Sequence, residues 1–274
     1  DPTKVYAAYH AAVNHTGQPT VILAQTVKGY GMGSSGESAN PSHQVKKLDL
    51  ENLKKFRDRF AIPISDDDLG DLPYFNPGPE SPENKYLQGR RQFLGGYLPS
   101  RRAWKDPLGC PSLDAFKQQT KGTGDRQIST TMAFVRMLST LVKDKTIGHR
   151  VVPIVPDEAR TFGMEGMFKQ LGIYTTEGQK YIPHDVDQVL SYHEDKAGQI
   201  LEEGINESGA FSAWMACATS YANHNQPLIP FYIYYSMFGH QRVGDLVWAA
   251  GDMKAKGFLL GATSGRTTLN GEGL

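Results

Sequence analysis

The residues of this chain best suited to chemistry are carboxylates placed at the ends of apolar runs. "PDEAR" (156–160) sets Asp157 and Glu158 directly after VVPIV. "ILEEGINESGA" (200–210) sets Glu202, Glu203 and Glu207 within six positions, among apolar and small residues. Acids are seldom buried without a partner. Glu207 leads into "SGAFSAW", where desolvation raises a carboxyl pKa by up to several units. A group of that kind can hold or share a proton near neutral pH. It can equally answer the free N–H groups of a helix start, and on the residues alone the two readings stand level. A third stretch, "YIYYSMFGHQR" (232–242), ends another apolar run in a polar and aromatic cluster, in which His240 is assigned no role. If the three runs are strands of one parallel sheet, their polar ends share one edge and one cleft. Helix capping, worth ~0.3–1 kcal/mol, is the alternative for the acids.

The elements required to bring these ends together can be read from the pattern. Apolar runs at 151–160, 198–205, 228–236 and 257–265 read as strands. Helical spacing covers 129–144, capped by Ser129 or Thr130, and also 206–224 and 241–255. Buried strands alternating with helices predict an α/β unit with a mostly parallel sheet. Upstream, 3–15 reads as a helix and "TVILAQTV" (20–27) as a buried parallel strand. A long Gly/Ser-rich loop (28–47) follows, carrying Glu37 and His43; a loop histidine is ordinarily solvated. Asp49 is a suitable N-cap for a helix over 49–60. Beyond it, proline- and charge-rich sequence with short helices at 83–95 and 112–119 reads as a connector.

Composition excludes several classes. Lys plus Arg and Asp plus Glu are equal at 29 each, so no global charge favours nucleic acid or an anionic membrane. Hydrophobic residues make up 39% of 274, enough for a core. Cys110 and Cys217 lie far apart, which excludes a disulfide scaffold or zinc site and suits a reducing cytoplasm. No run approaches the ~18 apolar residues of a membrane span. There is no HxxxH, DxD or P-loop pattern, and "KGYGMG" lacks the strand–helix setting of a phosphate loop.

At "VILAQTVKGYGMG", "HQVKK", "VPDEARTFGMEGMF", "EGINE", "PFYIYYSMFG" and "GFLLGATSGRTTLNGEGL" the chain resembles the homodimeric bacterial pyruvate dehydrogenase E1 component, end to end. That family is a thiamine diphosphate enzyme of the 2-oxo acid dehydrogenase complexes. The resemblance implies a parallel-sheet thiamine diphosphate-binding fold, with 126–274 the pyrimidine-binding domain. Residues 1–47 would be the tail of the diphosphate-binding domain with an active-site loop, and 48–125 a connector. It implies the middle third of a longer chain, in keeping with a start on Asp1 and a Gly-rich end. The Mg2+ ligands, a Gly-Asp-Gly and Asn motif, would then lie upstream of Asp1, with the site assembled across a dimer.

By the same resemblance, Glu207 matches the glutamate that hydrogen-bonds N1′ of the cofactor's aminopyrimidine. Phe238 matches the aromatic packed on that ring, with Tyr235 a nearby polar contact. Asp157 and Glu158 match acids near the active-centre channel. His43 matches a loop histidine used in reductive acetylation of the lipoyl group of the E2 partner, with Glu37 in the same loop. The segment 175–198 would be a second active-site loop. Pyruvate is the implied substrate. Two other functions stand beside this one: a transketolase-type enzyme, told apart by ketol transfer between sugars, and a non-catalytic dimerisation piece.

Overall fold

The computed structural model describes residues 1–98, 102–104, 106–157 and 159–262; Glu158 and the end of the strand expected over 257–265 lie outside them. The chain packs as two compact units, Asp1–Pro99 and Ser100–Leu274.

In the first unit, α1 (Pro2–Asn14) is capped by Asp1, whose carboxylate accepts from the Thr3 N–H at 3.0 Å. Pro2 occupies the first turn, where a missing N–H costs nothing. The buried strand expected over 20–27 is not there. Leu23 is 94% exposed, and the described residues of this unit contain no strand with which the run could pair. An apolar run signals burial, but a ladder also needs a partner for its N–H and C=O groups. The loop 28–47 forms two short 3-10 turns, Gly33–Ser35 and Asn40–Gln44. Next come α2 (Leu50–Arg59), capped by Asp49 as expected, and α3 (Pro82–Phe93), capped by Ser81.

The second unit runs α4 (Lys117–Thr120), α5 (Thr130–Leu141), β1 (Val151–Val155), α6 (Phe168–Leu171), β2 (Ile173–Tyr174), β3 (Glu194–Asp195), β4 (Leu201–Glu202), α7 (Glu207–Asn223), β5 (Ile229–Tyr235), α8 (Ser236–Asp252) and β6 (Phe258–Ala262). Four strands form one parallel sheet in the order β4-β1-β5-β6, while β2 and β3 make a small parallel pair. The α/β parallel architecture expected from the sequence is therefore present.

Alternation along the central strands explains why both sheet faces are covered. Val151 and Val155 of β1 and Phe231 and Ile233 of β5 join Val135 and Leu138 of α5 in one core. Their neighbours Ile154, Tyr232 and Tyr234 point the other way, onto Phe211, Trp214 and Ala218 of α7 and Val243 and Ala250 of α8. Side chains alternate with period two along a strand, so each face receives its own set. Truncating Phe211 or Tyr232, both fully buried, costs ~3–5 kcal/mol.

The helix predicted over 241–255 begins earlier, at Ser236, with no loop after β5. Gly239 looks like a breaker in sequence, yet it is a packing glycine. A Cβ there would lie 2.0 Å from Tyr234 Cδ2. Phe238, placed at a strand end by the sequence pattern, is thus on the first turn of α8.

Candidate functional site

The carboxyl ends of β1, β4 and β5 meet around a cleft of about 230 Å³. Pro156 and Asp157 follow β1, Ile205 and Glu207 follow β4, and Tyr235, Phe238 and Arg242 come from the β5–α8 junction, with Phe162 closing one wall. The structure brings together Asp157, Glu207, Tyr235 and Phe238. His43 and Glu37 belong to the first unit.

Glu207 is the first residue of α7, and it does not cap it. That role falls to Asn206, whose side chain accepts from the Gly209 N–H at 3.0 Å. The Glu207 carboxylate, only 12% exposed, accepts from Arg242 Nη1 at 2.7 Å. The first turn of a helix also favours negative charge there. Sequence reasoning missed Arg242. Once α8 starts at Ser236, Phe238 and Arg242 are four residues apart on one face. The guanidinium indeed lies 4.6 Å over the Phe238 ring.

The walls are aromatic. Phe238 is 8% exposed and meets Tyr235 edge-on at 6.2 Å, while Phe162 lies 5.1 Å from Tyr235 on its other side. Behind them Tyr232 is fully buried, and its hydroxyl has no hydrogen-bond partner among the described residues. Burial, then the nearby Glu207 carboxylate, push that phenol well above its ordinary range. His240 meets the Tyr234 hydroxyl at 3.1 Å.

A more open and polar pocket of about 480 Å³ borders the segment 175–198, with Arg160, Tyr181, His184, Asp185 and Tyr192 among its lining residues. Arg160 is ion-paired with Asp185, which also accepts from the Tyr192 N–H at 3.0 Å. Although burial pulls the Asp185 carboxyl up, the Tyr192 N–H and Arg160 hold it below the usual range.

In the first unit Glu37 ties its loop together. It accepts from the Gly31 and Gly33 N–H groups at 3.1 and 3.2 Å and from Arg59 at 2.7 Å. Arg59 holds its carboxyl below the usual range against a smaller upward effect of burial. His43 is exposed in the Asn40–Gln44 turn.

A parallel sheet covered on both faces, with a carboxylate, a guanidinium and an aromatic slot at its carboxyl edge, defines an α/β unit with a candidate ligand cleft. The family model described as "Pyruvate dehydrogenase E1 component middle domain" matches residues 108–274, more than half of the chain. The chain belongs to this pyruvate dehydrogenase E1 component family. It is 65% identical over its whole length to the pyruvate dehydrogenase E1 component of Pseudomonas aeruginosa and spans 31% of that relative. Against the components of the same name from Cupriavidus necator and Escherichia coli (strain K12), identity is 59% and 56%, again over the whole chain and 31% of each relative. The chain thus spans about a third of the length of these relatives. Among the described residues no helix is long and apolar enough to cross a membrane.

Proposed function

We propose that this chain is part of a thiamine diphosphate-dependent pyruvate dehydrogenase E1 component, and that its second unit supplies the pyrimidine-binding side of the active site. The observation that carries the reading is Glu207, whose carboxylate shares one cleft with Tyr235 and Phe238. The residues present fit an aminopyrimidine ring. Flat walls of Phe162, Tyr235 and Phe238 suit a planar heterocycle, and a carboxylate at one end suits a ring nitrogen. Arg242 engages Oε1 of Glu207, which leaves Oε2 for that nitrogen. When bound, the cofactor supplies the electron sink for loss of carbon dioxide from a 2-oxo acid.

The chain's own residues then divide the work. Glu207 holds or shares a proton at the ring nitrogen, and a hydrogen bond to a charged group is worth ~1.5–3 kcal/mol. Phe238 and Tyr235 orient the ring, while the buried Phe162 keeps water from it. Arg242 fixes the direction of the carboxylate, and Asp157 stands on the substrate side of the cleft. Glu158 is assigned to the same channel. His43 and Glu37 serve the transfer of the acetyl group to the lipoyl group of the E2 partner. Mg2+ would hold the diphosphate through residues elsewhere in the full-length protein, which acts as a homodimer in the cytoplasm.

The test is Glu207→Gln in the full-length protein. Loss of general acid–base help lowers decarboxylation by ~100-fold or more. Near-normal turnover would sink the assignment. Acetylation of a lipoyl domain with pyruvate, set against ketol transfer between sugars, decides between this enzyme and a transketolase-type activity.

A further inference from the structure

Of the glutamates at the end of β4, Glu202 rather than Glu207 keeps a buried oxygen without a hydrogen-bond partner among the described residues. It ends β4 and is paired in register with Val155, the last residue of β1, so it lies beside the turn that carries Asp157 into the cleft. Its Oε1 accepts from the Ala159 N–H at 3.4 Å, a long bond, and the adjacent Glu203 N–H donates to Val155 O at 3.2 Å. Its Oε2 is buried with no hydrogen-bond partner among the described residues. The charged and titratable groups facing it are Asp157 and Arg160 of the turn and Tyr192 of the 175–198 segment. Asp157 repels a second negative charge, and the Arg160 guanidinium is engaged by Asp185.

We propose that Glu202 is a positioning residue, whose carboxyl, hydrogen-bonded to the Ala159 N–H, anchors the turn that carries Asp157 and so sets where Asp157 stands in the cleft. A buried carboxylate with one oxygen unpaired is costly, and protonation removes the larger, charged part of that cost. Burial, supported by Asp157, accordingly raises this group above the ordinary glutamate range, against smaller opposing effects of Ala159 N–H and Arg160. Ionisation puts a second anion beside Asp157 and draws Arg160 away from Asp185. One acid thereby links the cleft to the neighbouring segment. For its effect on turnover the inference rests on the function proposed above; its protonation does not.

The experiment compares the full-length protein with its Glu202→Gln variant, an analogue of the neutral acid that cannot ionise. A carboxyl whose folded pKa is raised favours the folded state below its unfolded pKa, and that contribution is lost as pH rises through the folded value. Wild-type Tm should therefore fall relative to the variant as pH rises above the ordinary glutamate range. This arm reads the proton whether or not the protein acts on pyruvate. In the activity arm, the wild-type kcat/KM for pyruvate should show an alkaline decline that Glu202→Gln lacks, a difference of about 10-fold at the upper end for each pH unit passed. Matching Tm–pH curves overturn the proposal. A diverging Tm with superimposable kcat/KM profiles also overturns it, because the acid then has no bearing on the cleft. Absence of any turnover in wild-type, with the Tm divergence intact, refutes the proposed function instead and leaves the buried proton standing.

Discussion

Arg242 Nη1 stands 2.7 Å from Glu207 Oε1 while its guanidinium covers the Phe238 ring at 4.6 Å. One cation on α8 therefore orients both the acid and the aromatic wall of the cleft. The acid is delivered by α7, so the pair also clamps the two helices at the edge of the cleft.

Arg242→Gln removes the ion pair and the ring contact together. The guanidinium is half exposed, so solvent screening limits the loss to ~1 kcal/mol of stability. Activity should suffer more, by ~10-fold in kcat/KM, because Glu207 loses its fixed direction. Arg242→Lys should recover only part of this, since an ammonium lacks the planar fork. Thermal denaturation read beside steady-state kinetics separates the two effects, and a loss of stability equal to the loss in activation free energy would contradict it.

Two glycines of α8 should respond with opposite signs. A methyl group on Gly239 meets the Tyr234 ring, so Gly239→Ala should cost ~1–3 kcal/mol despite better helix propensity. A methyl group on Gly244 meets no atom within 4 Å outside its own helix backbone, and Gly244→Ala should stabilise by ~0.5–1 kcal/mol. Urea unfolding of both variants checks the pair. Equal signs would show that propensity alone governs the helix.

The first-unit loop should loosen in acid. Glu37 has a depressed pKa, so its contribution is present above the ordinary glutamate value and is lost as pH falls through the folded one. Protease cleavage within 28–47 should accelerate across that window in wild-type protein. Glu37→Gln should be cut fast at every pH, with no such step, and a step retained in the variant would assign the acid sensitivity elsewhere.

The segment 175–198 is held to the rest of its unit partly through the Asp185–Arg160 ion pair, and Asp185 also braces the segment internally by accepting from the Tyr192 N–H. Asp185→Asn should raise the cleavage rate in this segment several-fold, about the effect of ~1 kcal/mol. In the full-length wild-type protein, cofactor plus a pyruvate analogue should slow that cleavage. Unchanged rates on addition of ligand would argue against an active-site loop.

What was legible from sequence followed the periodicities. β5 is a continuous apolar run, and β1 and α7 were found because their patterns agree with their burial. "TVILAQTV" misled because hydrophobicity reports an appetite for burial without saying which strand will satisfy it. The start of α8 was missed because Gly239 serves packing, and a glycine's reason is invisible until its neighbour Tyr234 is placed. The stretches that carry Asp157, Glu207, Tyr235 and Phe238 could be gathered from the pattern of strand ends, while the family resemblance singled out the residues within them. Arg242 could not be singled out this way, as its partner is on another helix. The roles of the three glutamates were also divided differently in space. Glu202 is the acid with a buried, unpartnered oxygen, and Glu207 is the acid with a cation.

β5 passes into α8 with no intervening residue to spare, Tyr235 ending one and Ser236 beginning the other. The cleft's aromatic wall is consequently indexed to the sheet, like a key cut from the same blank as its shaft. Inserting one residue at this seam would rotate the helix by ~100° and swing Phe238 and Arg242 off the cleft together. At this junction the fold should tolerate exchange of residue type far better than any change in residue number.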